Sequence, residues 1–213
     1  MKNNTRQESV VKYYVLCNKL KNVIRSGWKM WNVERERLES VAEHIYGVQS
    51  LAIAMYSQYQ YDIDIYKVIF MLAVHELEEI TIGDLTWWDT TEEDKQQKGH
   101  NAIEEILSDL ICKNEIKKLI LEFDERKTKE SLFAYHCDKL ECDLQCKIYD
   151  EENCVDMTKQ NDNPVYHDEK VQKVINKGNS TWSNMWLEFD RNKYENDSNF
   201  IEILDYIKEN KII

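Results

Sequence analysis

The sequence is poor in the residues that make tight turns. Proline occurs once and glycine five times in 213 residues, whereas average proteins contain about 5% proline and 7% glycine. Folds rich in β-sheet depend on many such turns, so this shortage argues against them. Long apolar runs are also missing, because a run such as 68–74 is far shorter than the roughly 20 residues that span a bilayer. These absences favour an all-α protein that does not cross a membrane.

Basic residues are outnumbered by acidic ones. Lysine and arginine total 28 against 40 aspartates and glutamates, which gives a formal net charge of −12. A nucleic acid polymer requires a basic surface, so it is a disfavoured partner, whereas a small phosphorylated ligand remains compatible. The polar N-terminal stretch MKNNTRQESV lacks the apolar segment of a secretory signal, and we expect a cytoplasmic location.

The six cysteines show no spacing typical of a zinc site. They stand at positions 17, 112, 137, 142, 146 and 154, and no CxxC pair occurs among them. We expect free thiols that act as small buried hydrophobic residues in a reducing compartment, and we assign them no function.

Apolar spacing predicts a succession of amphipathic helices. The predicted segments are 10–24, 40–60, 64–80, 93–111, 114–126, 129–151, 166–178, 182–192 and 198–210. Ser40 and Glu43 match a capping box at the start of the second segment. Residues 153–164 contain the single proline and several Asn and Asp residues, which predicts a surface excursion.

The whole chain (1–213) is expected to form one all-α domain. Its core covers about residues 8–152, and a C-terminal helical extension covers about 165–213. The extension carries Trp182 and Trp186 at helical spacing, which suits packing on the core or on a second copy of the chain. Core packing is the simpler alternative, and homodimerisation stays open.

Two predicted loops, 25–39 and 85–92, flank the polar end of the third predicted helix. They contain four tryptophans, Trp28, Trp31, Trp87 and Trp88. Aromatic faces of this kind can stack on a nucleotide base. Burial in the core or a subunit contact is the commoner role for such residues, and we prefer it.

Acidic residues and a histidine crowd together after the most apolar run. His75 directly follows 68–74, and Glu79 lies one helical turn later on the same face. The other acidic residues of this stretch are Glu76, Glu78 and Asp84. Buried carboxylates are costly unless a cation compensates them, which a divalent metal would do. A hydrogen-bonded core histidine and a solvated acidic helix end remain the alternatives.

Two further residues complete a candidate metal site. His44 lies among apolar neighbours near the start of the second helix, although a capping or surface histidine is an alternative interpretation. Asp138 lies in mid-helix, where aspartate has poor propensity and metal coordination would explain it. With His75 and Glu76 they form a mixed nitrogen and oxygen set that suits Mn, Co, Fe, Ni or Zn. Open coordination positions on such a metal indicate a hydrolase.

The ordered set His44, His75-Glu76 and Asp138 resembles the H…HD…D signature of the HD-domain metal-dependent phosphohydrolases. The string HELEEITIGD at 75–84 is similar to H-D-x-x-E-x-x-x-G-D of the 5′-deoxynucleotidase branch. ESVAEH at 39–44 and RSGW at 25–28 resemble the E-S-V-x-[ED]-H and R-[ST]-G-W strings of the same branch. The resemblance spans roughly residues 20–150 and implies an HD-domain helical bundle.

The resemblance implies metal ligation by His44, His75 and Asp138. Glu76 occupies the place of the family's second-helix aspartate, and this is a departure from the pattern. Its side chain is one methylene longer, so it either coordinates from a shifted backbone, contacts the metal through water, or does not bind.

The resemblance also implies roles around the substrate. Glu79 matches the glutamate that positions or activates the attacking water, and Asp84 matches the acidic residue that lies by the substrate. Arg25 would neutralise the 5′-phosphate. Trp28 is the predicted substrate-binding tryptophan, although some members place a tryptophan directly after the arginine.

The residues and the resemblance together predict hydrolysis of the 5′-phosphate of (deoxy)nucleoside monophosphates. Glu79 would accept the proton of the water, and Arg25 would offset charge on the phosphate. A phosphodiester or guanosine-polyphosphate hydrolase is the alternative within the enzyme class. A catalytically inactive nucleotide- or metal-binding module is the alternative outside the enzyme class. It stays open because Glu76 departs from the family's aspartate.

Overall fold

Capping side chains define where the helices begin in the computed structural model, which describes residues 4–86, 89–179 and 181–213. Thr5 and Ser40 each form a capping box with a glutamate three positions later. Asp64 accepts hydrogen bonds from two backbone N–H groups of the next helix. The α-helices of the described residues are α1 (Arg6–Cys17), α2 (Ser26–Met30), α3 (Val41–Tyr59), α4 (Ile65–Val74), α5 (Glu79–Ile82), α6 (Glu92–Ile106), α7 (Lys113–Glu125), α8 (Lys129–Glu151), α9 (Glu169–Ile175), α10 (Trp182–Asp190) and α11 (Ser198–Glu209).

The all-α prediction is confirmed. The described residues also include an isolated antiparallel bridge between Ile24 and Ser40. In it the backbone N–H of Arg25 donates to the carbonyl oxygen of Glu39 at 3.1 Å. This pairing fixes the backbone of Arg25 beside the start of α3.

The chain forms two compact units, each with its own core. The first contains the described residues up to Ser26 together with Glu39–Tyr135, and the second contains Gly27–Leu38 together with His136–Ile213. Helix α8 contributes its first residues to the first unit and the remainder to the second. The single-domain expectation stays a prediction.

The core of the first unit surrounds α4. Val68, Met71 and Leu72 are completely buried, which explains the unbroken apolar run of this helix. A cluster of buried residues in the same unit contains Leu20, Val41, Val74, Leu77, Ala102, Ile103, Ile106, Leu107, Ile116 and Ile120. The polar residues that follow Val74 therefore begin inside an apolar environment.

The core of the second unit is built from tryptophans. Trp28 and Trp31 are each 2% exposed and pack with Trp182, which is fully buried. The ring of Trp28 also meets Tyr149 edge-on at 5.3 Å between centroids. Core packing of the C-terminal helices is confirmed for α10, and Phe200 of α11 is likewise buried.

Several predicted boundaries differ from the structure. The predicted loop 25–39 contains helix α2, and the predicted helices 93–111 and 166–178 are shorter, as α6 and α9. The predicted helix 10–24 begins earlier, at Arg6, and its last turn is the 3-10 helix Asn18–Asn22. The predicted helix 64–80 ends at Val74, and turns lead from there to the short α5. Apolar periodicity continues across these points, so it does not reveal where the hydrogen-bonding pattern changes.

The predicted surface excursion at 153–164 is confirmed for most of its polar residues, such as Asn153, Asp156 and Asp162, which are exposed, but it is wrong for two of them. Gln160 is 1% exposed and Asn163 is 3% exposed. The Gln160 amide donates to the carbonyl oxygen of Trp31 at 3.2 Å, and the Asn163 amide donates to the Gln160 Oε1 at 2.8 Å. Because their amides are hydrogen-bonded inside the second unit, these side chains are buried despite their polarity.

The cysteines are free thiols. Cys137, Cys142, Cys146 and Cys154 are buried, as the sequence predicts, whereas Cys112 is exposed. Among the described residues no helix combines the length and the apolarity that a membrane crossing requires.

Candidate metal centre and phosphate site

The capping box of α3 places His44 one turn into the helix. The Ser40 side chain accepts from the backbone N–H of Glu43, and the Glu43 carboxylate accepts from the Ser40 N–H at 2.9 Å. His44 is fully buried, and its Nε2 lies 3.9 Å from Oε1 of Glu76. The inward direction predicted for this histidine is confirmed.

His75 is held in one tautomer by the end of α4. Its Nδ1 lies 2.8 Å from the carbonyl oxygen of Leu72, and because a carbonyl only accepts, Nδ1 carries the proton. In the neutral ring Nε2 then has the lone pair, as a metal-ligating imidazole requires. This Nε2 lies 3.7 Å from Oε1 of Glu76, and the ring centroids of His44 and His75 are 5.8 Å apart.

The structure brings Glu76 to both imidazoles. His44, His75 and Glu76 each offer one ligand atom, and these atoms lie within 4.8 Å of one another. Ligand atoms about 2.1 Å from a shared ion are separated by roughly 3–4 Å, so small side-chain movements would complete the coordination. Two neutral imidazoles and a carboxylate fit a divalent transition metal.

Arg25 lies beside Glu76 and Asp84. Its Nη1 is 3.6 Å from Oε1 of Glu76 and 3.9 Å from Oδ1 of Asp84. The backbone N–H of Ser26 donates to Oδ2 of Asp84 at 2.6 Å, and the Ser26 hydroxyl donates to the Asp84 carbonyl oxygen at 2.5 Å. The first residue of α2 therefore fixes Asp84, and the Arg25 guanidinium lies beside the carboxylates of Glu76 and Asp84.

Glu79 is a buried carboxylate at the start of α5. It is 1% exposed, and neither carboxylate oxygen has a hydrogen-bond partner within the described chain. Burial, followed by the charges of Glu76 and Asp84, raises the pKa of Glu79 well above its usual range, whereas Arg25 and Lys95 oppose the rise. Such a group is a stronger base than an exposed glutamate when it is ionised.

Two residues of this region, Glu78 and Lys95, were given no role in the site on sequence grounds. Burial and then the charge of Glu76 raise the pKa of Glu78 to about 8, and its Cγ lies 3.3 Å from where a Cβ on Gly99 would stand. Lys95 of α6 has its Nζ 3.6 Å from Oε1 of Glu79. No spacing pattern connects α6 with residues 75–84, so the sequence carried no signal for Lys95.

Two further predicted residues, Asp138 and Trp28, lie in the second unit. Asp138 is 3% exposed on α8, and its Oδ2 is 2.8 Å from Nζ of Lys139. Trp28 is buried in the tryptophan core of the second unit, as preferred for it on sequence grounds. Its contact with a substrate stays a prediction. Trp87 and Trp88 lie outside the described residues.

Sequence comparisons relate the chain to known proteins. A profile of the HD domain matches residues 17–179. The chain is 34% identical over 150 residues to the 5′-deoxynucleotidase HDDC2 of Dictyostelium discoideum, which covers 67% of this chain and 78% of the relative. It is 28% identical over 155 residues to the 5′-deoxynucleotidase hdd1 of Schizosaccharomyces pombe, with 70% and 76% of the two chains covered.

Solved structures with a similar fold extend over nearly the whole chain. A conserved hypothetical protein from Pyrococcus furiosus superposes with a TM-score of 0.68 at 22% identity, covering 94% of this chain and 99% of that one. A predicted metal-dependent phosphohydrolase from Magnetospirillum magnetotacticum MS-1 gives a TM-score of 0.61 at 19% identity, covering 97% of each chain. At these identities the likeness concerns the fold.

Proposed function

This chain belongs to the HD-domain family, and we propose that it is a metal-dependent phosphohydrolase that removes the 5′-phosphate of deoxynucleoside monophosphates. One observation carries the proposal. The ligand atoms of His44, His75 and Glu76 lie within 4.8 Å of one another, and the guanidinium of Arg25 lies beside Glu76. Relatives that carry the name 5′-deoxynucleotidase support the substrate class.

The proposed ligands are His44, His75, Glu76 and Asp138. The first three meet within the first unit, whereas Asp138 is included because it matches the last aspartate of the family signature. A divalent transition metal held there supplies Lewis-acid polarisation of a phosphoryl oxygen and activation of water. The hydrogen bond from Nδ1 of His75 to Leu72 keeps that imidazole in the tautomer that ligation needs.

The charged residues around the ligands perform the remaining steps. The guanidinium of Arg25 binds the phosphate and offsets the charge that builds on its oxygens. Glu79 accepts the proton of the attacking water, for which its raised pKa suits it. Asp84, fixed by Ser26, keeps Arg25 oriented and lies beside the substrate.

The small-molecule substrate also agrees with the acidic net charge of the chain, −12. Trp28 is retained as a proposed substrate-binding residue because it ends the RSGW string at 25–28 that resembles the family's. Cytoplasmic location and homodimerisation stay predictions from the sequence.

The test is phosphate release from a substrate panel with Mn²⁺, Co²⁺ or Ni²⁺. The panel contains the deoxy- and ribonucleoside 5′-monophosphates, a nucleoside 3′-monophosphate, a phosphodiester and a guanosine polyphosphate. Turnover of the deoxynucleoside 5′-monophosphates above all others is expected. Turnover of the diester or the polyphosphate alone would reject the monoester assignment, and absence of all turnover with metal bound would indicate a binding module.

Replacement of Glu79 tests the proposed base. Glu79→Gln keeps the shape of the side chain but cannot accept a proton, so we expect kcat to fall about 10²- to 10⁴-fold while bound metal per chain stays unchanged. Glu105→Gln, at an exposed position of α6, is the matched control with normal kcat. A Glu79→Gln variant with normal kcat would remove Glu79 from the reaction.

A further inference from the structure

Lys95 occupies an unusual position for a lysine. It lies one turn into α6, whose N-cap is Thr91, and a cation near a helix N-terminus is opposed by the helix dipole. Its side chain is only 32% exposed. Such a placement is unfavourable unless nearby negative charge compensates it.

Two contacts of the ammonium group provide that compensation. Nζ lies 3.6 Å from Oε1 of Glu79, and it donates to the carbonyl oxygen of Leu85 at 3.0 Å. Leu85 directly follows Asp84, so one ammonium connects the start of α5 with the segment after Gly83. Gly83 has a φ of 74°, which places a sharp change of chain direction between these two contacts.

The electrostatic surroundings agree with this arrangement. Burial alone would lower the pKa of Lys95, but the carboxylates of Glu76, Glu79 and Asp84 outweigh it and raise that pKa. The ammonium of Lys95 therefore stays charged throughout the neutral range.

We propose that Lys95 is a positioning residue for the reaction. Its ammonium holds the Glu79 carboxylate and the Leu85 carbonyl together, so that Glu79 faces the attacking water. The inference rests on the proposed function, because Lys95 acts through Glu79 and touches no reacting atom. A lysine that bound the substrate phosphate itself would change KM, whereas a positioning lysine changes kcat.

The first experiment compares variants of two lysines on α6. Lys95→Met removes the ammonium, Lys95→Arg keeps a cation, and Lys98→Met is the matched control at an exposed position of the same helix. With a deoxynucleoside monophosphate, Lys95→Met is expected to lower kcat about 10- to 100-fold, with KM within about threefold of the wild type. Lys95→Arg recovers most of kcat, and Lys98→Met matches the wild type.

A double-mutant cycle tests whether Lys95 acts through Glu79. In the Glu79→Gln background, Lys95→Met is expected to cause no further loss of kcat, because the group that it positions is already absent. Additive losses would overturn the proposal. So would a kcat of Lys95→Met equal to that of Lys98→Met, or a rise in KM above tenfold with normal kcat.

Hydrogen exchange gives a readout that is independent of turnover. Loss of the Nζ hydrogen bond is expected to speed amide exchange over residues 83–86 in Lys95→Met but not in Lys98→Met. If Lys95→Met does not fold, Lys95→Gln takes its place in every measurement. A wild-type protein with no phosphatase activity rejects the proposed function, and unchanged exchange over 83–86 rejects the role of Lys95 whatever the activity.

Discussion

Glutamate at position 76 reaches both imidazoles because the backbone leaves the α-helix at His75. After Val74 the N–H of Leu77 bonds back three residues, to Val74, instead of four. The local path and the longer side chain together leave Oε1 3.7 Å and 3.9 Å from the two imidazole Nε2 atoms. These distances put Glu76 within reach of an ion shared with the two imidazoles, and whether it binds the metal directly, through water or not at all stays a prediction.

The second unit contains a fully buried carboxylate of its own, that of Asp143. Its Oδ2 accepts from the Tyr194 hydroxyl at 2.6 Å, and its Oδ1 has no hydrogen-bond partner in the described chain. Burial and the charge of Asp190 raise the pKa of Asp143 well above its usual range. The folded protein therefore binds a proton there that the unfolded chain releases.

This difference predicts a pH dependence of stability. The free energy of unfolding loses the Asp143 contribution as the pH rises from about 4, where an unfolded aspartate titrates, towards the higher folded pKa. Asp143→Asn cannot ionise and keeps an acceptor for Tyr194. We expect the Tm of the wild type to fall more than that of Asp143→Asn between pH 5 and pH 8. Parallel Tm profiles for the two proteins would contradict this expectation.

At the scale of helices, the capping box of α3 does more than begin a helix. The helix carries His44 in its first turn, so fraying at Ser40 would release a proposed metal ligand. The equivalent box at Thr5 begins α1, which carries none of the proposed ligands. The two capping boxes have the same hydrogen-bonding pattern, but only the one at Ser40 begins a helix that carries a proposed metal ligand.

Removal of each box is expected to give different results for metal binding. Ser40→Ala and Thr5→Ala should each lower the free energy of unfolding by about 1 kcal/mol. Ser40→Ala should in addition weaken Mn²⁺ binding several-fold, which isothermal titration measures, whereas Thr5→Ala leaves the affinity unchanged. Equal Mn²⁺ affinities in the two variants would show that the cap does not position His44.

Elements with strong local signals were predictable from the sequence. The bounds of α8, 129–151, agree with prediction, and the α3 capping box was found from Ser40 and Glu43. The end of α4 was not predictable, because the apolar run and the acidic stretch after it are both compatible with helix. The burial of Gln160 was missed because it depends on a carbonyl more than a hundred residues away, that of Trp31.

The negative charge of the whole chain predicts that a bound metal ion stabilises the folded state. The net charge is −12, and Glu76, Glu79 and Asp84 add local repulsion in a largely buried setting. A cation bound to the folded state alone raises the free energy of unfolding by about 2.7 kcal/mol at a hundred times its Kd.

Thermal unfolding tests this expectation. Mn²⁺ at that excess should raise the Tm by about 5–10 °C, and a chelator should reverse the rise. His75→Ala should abolish it, whereas His167→Ala, at an exposed position, should keep it. Ca²⁺ at the same concentration serves as the control for unspecific screening of charge, and an equal rise with Ca²⁺ would contradict a nitrogen-containing site.

The sequence identified the candidate ligands because they are unusual residues in apolar surroundings. It could not identify Lys95, since a lysine in an amphipathic helix is ordinary until the fold places it beside Glu79. Glu78 was recognised as part of the acidic stretch, but its burial against Gly99 depends on the packing of α6. Local sequence patterns therefore do not reveal which residues distant in the chain lie close together in the fold.

The tryptophan core of the second unit draws on two stretches of chain, with Trp28 and Trp31 from 27–38 and Trp182 from beyond 136. The whole of 39–135 is inserted between them in sequence. A single cut in the chain therefore cannot separate this unit together with all of its tryptophans. Truncation or exchange of segments must therefore keep residues 27–38 and the C-terminal part of the chain together.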